Sequence, residues 1–276
     1  EGEIRPQLLT SDDRWILLRL GQAINEVTAA FEAYRFTDAT ATLYRFFWSE
    51  YCDWYIESCK ATFFGDDTAR KANVLAVVDF VMGNTLRLFH PFLPFITEEL
   101  WHGLGFSSDM PEEQGGRTIM TARWPKAFDE DFRELYGLDD TVDHLVGAKH
   151  ELVTQGRNLR AAYNIPFNKK VDYRFQPAGE LDEYEVEVVK ILLNAESIRL
   201  GSDVPKGTPR IASPMGDLFL PLEGLIDFEA ERERLAKELN KIEKEIEKAE
   251  AKLNNPKFAE RAPAEVLEEQ RERLAE

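Results

Sequence analysis

The sequence contains few of the residues that build catalytic and metal centres. Two cysteines and four histidines occur among 276 residues, and they show neither the spacing of a zinc site nor an HExxH motif. A Walker phosphate loop and a GxGxxG motif are also absent from the sequence. Acidic pairs such as Glu98–Glu99 are typical of helix starts and solvent-facing surfaces. The sequence therefore predicts no catalytic residue, no metal site and no cofactor for this chain.

Long apolar runs and a disulfide pattern are missing as well. No stretch approaches the ~18 consecutive apolar residues of a membrane span, and no charged-then-apolar signal segment opens the chain. Cys52 and Cys59 lie roughly 10 Å apart along a helix at ~1.5 Å per residue, which is too far for a mutual disulfide. We expect two buried thiols, a reducing cytoplasmic compartment, and neither a membrane nor DNA as a partner.

Basic residues are scarce relative to acidic ones. The chain has 34 Lys and Arg residues against 51 Asp and Glu residues, which gives a formal net charge of −17. Domains that bind nucleic acids are typically basic. If this chain contacts RNA, it must do so through local basic stripes on an acidic body.

Helical periodicity dominates the first half of the sequence. Apolar residues recur at intervals of three and four positions, the pattern of amphipathic helices, over 12–34, 37–64, 68–90 and 96–104. Pro91 and Pro94 interrupt the pattern before the last segment. Short connections between successive apolar stripes predict an antiparallel four-helix bundle over residues 1–138.

The most aromatic stretch is YRFFWSEYCDWYIESCK, residues 44–60. It fits either a surface on which bases or a cofactor stack, or the inside of a helical bundle. Helical spacing favours the bundle interior for a stripe that consists of Tyr44, Phe47, Trp48, Tyr51, Cys52, Tyr55, Ile56 and Cys59. We therefore predict that Trp48 is buried, whereas Phe46 and Trp54 lie off the stripe and require other neighbours or a partner.

The second half of the sequence changes character. KKVDYRF, SIRLGS, PRIAS and DLFLPL are strand candidates between Pro and Gly punctuation, and two helices accompany them in a predicted small α+β unit over 139–226. Heptad spacing of apolar residues indicates a coiled coil over 227–276, with a turn at NNP, residues 254–256. The predicted fold class is mainly α: an antiparallel helical bundle, a small α+β unit and a C-terminal antiparallel coiled-coil hairpin.

The clearest basic feature is a lysine stripe along the first coiled-coil helix. Its members recur at intervals of three and four positions and are offset from the apolar seam: Lys237, Lys241, Lys244, Lys248 and Lys252. Such spacing is typical of a solvated face with ion pairs. The alternative is a rod that meets a phosphate backbone, where lysines bind by counterion release.

A second basic cluster lies in GRNLRAAYNIPFNKK, residues 156–170. Arg157 and Arg160 are three positions apart on a predicted helix, and Lys169 and Lys170 follow the turn at Pro166. The pattern fits an ordinary protein surface and an RNA contact equally well.

Four stretches resemble the C-terminal part of bacterial valyl-tRNA synthetase, a class I aminoacyl-tRNA synthetase. The first joins DDRWILLRL to AYRFTDATATLYRFFWSEYCDWYIESCK, the second joins LFHPFLPFITEELW to IMTARWP, and the third is GRNLRAAYNIPFNKKV. The fourth is LPLEGLIDFEAERERLAKELNKIEKEIEKAEAKLNNPKFAERAPAEV. The first two are similar in style to the isoleucyl and leucyl relatives, whereas the fourth resembles the valyl enzyme specifically.

The resemblance implies the anticodon-binding bundle, an appended α+β unit and the coiled-coil arm of a ligase that attaches valine to its tRNA with ATP as co-substrate. The family's HIGH and KMSKS motifs and its editing domain do not occur in this sequence. The chain also begins with Glu and ends inside a charged helical pattern. We therefore expect a piece of a longer polypeptide whose partners are valine tRNA and its own upstream catalytic and editing domains.

The resemblance also implies where tRNA binds, because in this family the bundle meets the anticodon stem-loop and the arm rests on the outer corner of the tRNA. By position, Lys248 and Arg273 resemble basic arm residues near that corner, and Ile56 resembles an apolar residue on the anticodon side. The rest of the lysine stripe, with Arg157 and Arg160, completes the predicted tRNA contacts. The alternative function is a protein-interaction module that docks a partner through an exposed apolar seam on the coiled coil.

Overall fold

Helices form the first half of the chain in the computed structural model, which describes residues 3–111, 116–201, 203–226 and 228–253. They are α1 (Ser11–Glu32), α2 (Phe36–Tyr44), a π-helical segment (Arg45–Ile56), α3 (Glu57–Phe63), α4 (Thr68–Phe89), α5 (Pro94–Gly103), α6 (Phe106–Asp109) and α7 (Glu130–Tyr136). Short 3-10 turns occur at Pro6–Leu8 and Ile119–Thr121. The four predicted apolar segments are therefore all helical.

The start of α1 shows how the local sequence fixes a helix end. The Thr10 hydroxyl accepts a hydrogen bond from the Asp13 amide, and the Asp13 carboxylate accepts one from the Thr10 amide. This capping box satisfies two backbone donors that lack partners inside the helix. From this start, Ile16, Leu20 and Ile24 face the bundle core, as their spacing predicts.

The π-helical segment corrects the prediction for Trp48. Trp48 is 51% exposed, whereas Phe46, which lies off the predicted stripe, is 0% exposed. A π-helix closes hydrogen bonds between residues five positions apart instead of four. The buried face therefore passes from Phe46 to Tyr51 and then to Tyr55. The predicted stripe is confirmed for Tyr51 and Tyr55 and is wrong for Trp48 and for Tyr44, which is 64% exposed.

The thiols depart in part from the prediction. Cys59 is buried, but Cys52 is half-buried, and both are free. Burial raises the pKa of both thiols. Both side chains pack against the bundle core.

The α+β unit contains two helices and four strands, as predicted. Helix α8 (Asp140–Ala162) precedes β1 (Val171–Pro177), α9 (Glu183–Leu192), β2 (Ala195–Leu200), β3 (Arg210–Ser213) and β4 (Gly216–Phe219). The sheet order is β2-β1-β4-β3, with β1 parallel to β2 and β4 antiparallel to both β1 and β3. Within this unit, α8 packs closely on the end of α9 at Gly156, because an added Cβ would lie 2.6 Å from the Leu193 side chain.

One long helix, α10 (Phe228–Leu253), follows the sheet. The chain divides into two compact units, Glu1–Pro221 and Leu222–Glu276, so α10 belongs to the second unit. The predicted boundary between residues 138 and 139 falls inside the first unit. The turn and the returning helix predicted for 254–276 lie outside the described residues.

Among the described residues, α4 is the one helix with the length and apolar composition of a membrane span, although 56% of that window is buried. Its Val74, Val77 and Val81 belong to the bundle core. Burial of this kind is expected for a helix at the centre of a bundle.

Candidate nucleic-acid interface

The lysine stripe lies along α10, and four of its members have described side chains. Lys237, Lys241, Lys244 and Lys248 are all exposed. Among the described residues, none of the four has a carboxylate oxygen within 4.0 Å. Exposed lysines along one face of a helix can meet an external anion. Lys252 is in α10 but its side chain lies outside the description, as does the whole of Arg273.

The apolar seam of α10 is exposed on the described helix. Leu235, Leu239, Ile242 and Ile246 are 50%, 59%, 50% and 41% exposed. Their heptad spacing fits a coiled-coil seam. The pairing predicted for this seam depends on residues 254–276 and stays a prediction.

Arg157 lies on α8 at the edge of the α+β unit and is half-buried. Its Nε and Nη2 donate to the Leu192 carbonyl oxygen at 3.2 and 2.8 Å. Its guanidinium also lies 5.5 Å from the Trp54 ring centre and 5.7 Å from that of Phe167. Burial lowers the pKa of Arg157. The residue is therefore a stacked, partly desolvated cation.

Arg160, one turn further along α8, is fully buried instead of exposed on the surface. Its Nη1 donates to the Leu193 carbonyl at 2.8 Å, and its Nη2 donates to those of Pro166 at 2.7 Å, Phe167 at 3.1 Å and Lys169. The guanidinium lies 5.3 Å from the Phe167 ring. Arg160 thus fastens the 166–169 turn to the end of α9, and in this arrangement RNA cannot reach its guanidinium directly.

Ile56 ends the π-helical segment and is half-buried against the bundle core. Its neighbours Trp54 and Glu57 line an open cleft of about 1160 Å³ that also includes Arg157 and Phe167. We name this space the α3–α9 cleft, since its walls come from the end of the π-helical segment with α3, from α8, from the 166–170 turn and from α9 with the start of β2. Sequence reasoning did not find it, although Trp54 off the apolar stripe was the signal.

Trp54, which lies off the predicted apolar stripe, packs against His150 of α8. Its ring stacks on His150 with centroids 3.9 Å apart and an interplanar angle of 17°. His150 also makes a perpendicular contact with the Trp15 ring, with centroids 4.9 Å apart. Burial lowers the pKa of His150 from its ordinary value of 6.5 to about 4. The imidazole is therefore neutral at neutral pH and serves as packing.

A buried lysine joins the bundle to the α+β unit. Lys149 is fully buried, and its Nζ donates to Asp12 and to Glu185 at 2.7 Å each. Tyr184 donates a further hydrogen bond to Asp12 at 3.0 Å. Burial disfavours the charged amine, but Asp12 and Glu185 outweigh it, so that the pKa of Lys149 is raised. The cluster holds α1, α8 and α9 together.

The described part of the chain contains no group of three or more His, Cys, Asp or Glu side chains that could hold a metal ion. The exposed groups described above are lysines on α10, a partly desolvated guanidinium and aromatic rings at the edge of a cleft.

Comparisons with known proteins place this geometry in a family. Residues 13–174 match the family described as anticodon-binding domain of tRNA ligase, and residues 227–276 match that described as valyl tRNA synthetase tRNA binding arm. Curated relatives named valine–tRNA ligase include that of Carboxydothermus hydrogenoformans, 40% identical over 286 residues that cover 98% of this chain and 30% of the relative. Those of Geobacter sulfurreducens and Thermotoga maritima are each 38% identical, over 97% and 99% of this chain and 30% of each relative.

The chain thus spans about 30% of the length of these relatives. Because the first match covers more than half of the residues, the family is established for the chain. The chain belongs to the family of anticodon-binding domains of tRNA ligases, followed by a segment that matches the tRNA-binding arm of valyl-tRNA synthetases.

Proposed function

We propose that this chain is the tRNA-binding C-terminal part of a valine–tRNA ligase. The observation that carries the proposal is the lysine stripe, which is exposed on the helix that the tRNA-binding-arm match covers. Four exposed lysines in register along one rod can neutralise a run of phosphates, because each contact releases condensed counterions.

In this proposal two surfaces of the chain contact different parts of the tRNA. The bundle side of the first unit, with Ile56 and Arg157, meets the anticodon stem-loop. Helix α10, with Lys248, meets the outer corner of the tRNA. Arg160 contributes by holding the 166–169 turn in place.

The complete enzyme in this proposal attaches valine to its tRNA in the cytoplasm and uses ATP as co-substrate. The adenylation and editing chemistry belongs to upstream domains of the same polypeptide, since the HIGH and KMSKS motifs do not occur in this sequence. No cofactor, DNA or membrane partner is proposed for this chain.

Titration of valine tRNA into the 276-residue chain at several salt concentrations tests the proposal. Affinity should fall steeply with salt, and Lys244→Glu with Lys248→Glu should reduce the slope of log K against log salt by about one unit per lost phosphate contact. The matched control is Lys126→Glu with Lys206→Glu, which reverses two exposed charges outside α10. Salt-insensitive binding, or an equal effect of the control pair, would argue against the proposal.

The alternative is a protein-interaction module, and the exposed seam of α10 favours it. In that case Leu239→Gln should abolish binding to a protein partner while Lys248→Glu has little effect, because the seam supplies the contact area. For tRNA binding we expect the reverse order of effects. A fluorescence anisotropy assay with labelled tRNA and both variants distinguishes the two functions.

A further inference from the structure

The four-stranded sheet has one buried face and one exposed face. Tyr173, Phe175 and Leu218 lie on the buried face, and helix α8 packs against Leu218. Because successive side chains of a strand point to opposite faces, the residues between these belong to the other face. Asp172 and Gln176 of β1 are exposed there. This face of the sheet can therefore meet an external partner.

Four residues form a row across the exposed face, one on each strand. In the order of the strands they are Arg199 of β2, Arg174 of β1, Phe219 of β4 and Arg210 of β3, and each is the direct cross-strand partner of the next. At an interstrand spacing of about 4.8 Å, the row is about 14 Å long. We name it the arginine row. It concentrates positive charge in a chain whose net charge is −17.

The arginines of this row differ in their partners. Arg210 pairs with Asp217 of β4 at 3.0 Å. Arg174 and Arg199 are direct cross-strand partners, and among the described residues no carboxylate oxygen lies within 4.0 Å of either guanidinium. Like charges directly opposite each other on neighbouring strands destabilise a sheet. A phosphate between Arg174 and Arg199 would relieve this repulsion, because a guanidinium can donate two parallel hydrogen bonds to it.

We propose that the arginine row binds the phosphate backbone of a paired tRNA stem. This inference rests on the proposed function and adds a third surface to it, besides the bundle side of the first unit and α10. Most of the sheet, from residue 175 onward, lies between the two matched segments, 13–174 and 227–276. The matches to an anticodon-binding domain and to a tRNA-binding arm therefore assign no role to β2, β3 and β4.

A paired stem fits this face better than an unpaired loop. Recognition of unpaired nucleotides relies on open aromatic rings on which bases stack, but Phe219 in the row is half-buried. Paired RNA is recognised mainly through its phosphates and 2′-hydroxyl groups. Guanidinium groups that follow one another across a flat sheet can contact such a line of phosphates without reading a base.

A role in binding and a role in folding predict different effects of removing one charge. If Arg199 served only the fold, Arg199→Gln would lower the thermal unfolding midpoint and leave RNA affinity unchanged. In this proposal Arg199→Gln removes the repulsion from Arg174. The midpoint should therefore stay the same or rise, while the affinity for tRNA falls.

The binding test uses the 276-residue chain and full-length valine tRNA. Arg174→Gln with Arg199→Gln should lower affinity about tenfold at 0.1 M salt and reduce the slope of log K against log salt by about one unit per lost phosphate contact. Arg174→Lys with Arg199→Lys keeps both charges but not the planar fork, so it should keep the slope and lose part of the affinity. The matched control is Arg35→Gln, since Arg35 is a 61% exposed, paired arginine at the N-cap of α2.

Ethylation of single tRNA phosphates locates the contact. Some phosphates of a paired stem should inhibit binding of the wild type when they are ethylated. These positions should lose their effect on the chain with Arg174→Gln and Arg199→Gln, because the contact is already absent. An unchanged ethylation pattern together with a lower affinity would mean that the arginines act indirectly, and the assignment would be wrong.

The outcomes separate this inference from the proposed function. If Lys244→Glu with Lys248→Glu weakens tRNA binding while the arginine substitutions have no effect, the arginine row is not an RNA site and the proposed function stands. If the wild-type chain does not bind tRNA even at low salt, both fail. If the arginine substitutions spare tRNA binding but weaken association with the ligase's other domains supplied as a separate chain, the row binds an acidic protein surface and the assignment is again wrong.

Discussion

Phe46 and Trp48 show at the residue scale how one change in helix geometry redirects a side chain. Phe46→Ala removes a side chain that is 0% exposed, whereas Trp48→Ala removes one that is 51% exposed. Loss of a buried aromatic ring typically costs ~3–5 kcal/mol. We expect this loss for Phe46→Ala and less than about 1 kcal/mol for Trp48→Ala, measured by urea denaturation. Equal destabilisation by the two variants would mean that Trp48 lies on the buried face after all.

The two arginines of the second basic cluster illustrate what residue type alone can predict. The sequence indicates a pair of cations three positions apart on a helix, and both were assigned to tRNA contact on that pattern. The structure leaves Arg157 at a cleft and buries Arg160 among carbonyl groups. Nothing in the local spacing distinguishes the two, because their difference is set by a turn and a helix end that come from elsewhere in the chain.

His150 makes the stability of the first unit depend on pH. Its pKa is about 4 in the folded chain against an ordinary 6.5. Between these pH values the unfolded chain binds a proton that the native chain excludes, so stability falls as the pH is lowered through this window. The loss is about 1.4 kcal/mol per pH unit, or about 3 kcal/mol across the window.

The variant His150→Phe should remove this component while it keeps the stack on Trp54. Denaturation midpoints measured from pH 7 to pH 4 should therefore fall less for His150→Phe than for the wild type. His144→Phe is the matched control, because His144 is exposed on the same helix. Parallel pH profiles for wild type and His150→Phe would show that His150 does not carry the effect.

At the scale of elements, helix positions were predictable and helix faces were only partly so. Capping residues, proline and the apolar spacing located the longer helices within a few residues, because these signals are local, but the short helices α6 and α7 were not predicted. The π-helical segment Arg45–Ile56 has no comparable local signature. Glu50 on this segment receives two hydrogen bonds from Arg19 of α1, at 3.0 and 2.6 Å, a tertiary contact that local spacing does not show.

Helix α8 packs closely on Leu193 and Leu218 at Gly156. The sequence does not distinguish this glycine from Gly147 on the same helix. An added Cβ at Gly156 would lie 2.6 Å from Leu193 and 3.1 Å from Leu218, whereas at Gly147 nothing lies within 4 Å. Overpacking of this kind typically costs ~1–3 kcal/mol, and Gly→Ala in an open helical position stabilises by ~0.5–1 kcal/mol.

Gly156→Ala should thus lower the thermal unfolding midpoint, and Gly147→Ala on the same helix should raise it slightly. Calorimetry of both variants measures the difference between a helix position that is packed and one that is open. A stabilising Gly156→Ala would indicate that Leu193 and Leu218 can move aside at little cost, and that α8 is less tightly seated on the sheet than the distances imply.

At the scale of the whole molecule, the predicted division at residue 138 reflects a change in sequence pattern, whereas the observed packing joins the residues on its two sides. The family match runs from residue 13 to 174 and thus crosses that division. The sequence changes character there because helices give way to strands. The cluster around Lys149 nevertheless connects α1 to α8 and α9, and a buried charge at a distant partner is not visible in local patterns. Its only signal is that Lys149 falls on the buried face of α8, three positions from Val146 and from Leu152.

The Lys149 cluster predicts that the bundle and the α+β unit unfold together. Lys149→Met leaves two carboxylates buried without their cation, and breaking a buried ion pair in this way typically costs ~3–5 kcal/mol. Trp48, Trp101 and Trp124 report on the bundle, whereas Trp15 and Trp54 also contact His150 of α8. The measurement therefore uses a chain in which Trp15 and Trp54 are replaced by Phe. If the units are coupled, Lys149→Met on α8 should shift the denaturation midpoint detected by tryptophan fluorescence to clearly lower urea.

Lys190→Met is the matched control, since Lys190 makes a partly exposed pair within α9 and such pairs contribute only about 0–1 kcal/mol. A fluorescence midpoint that Lys149→Met leaves unchanged would show that the bundle folds independently of the α+β unit, as the division at residue 138 implies.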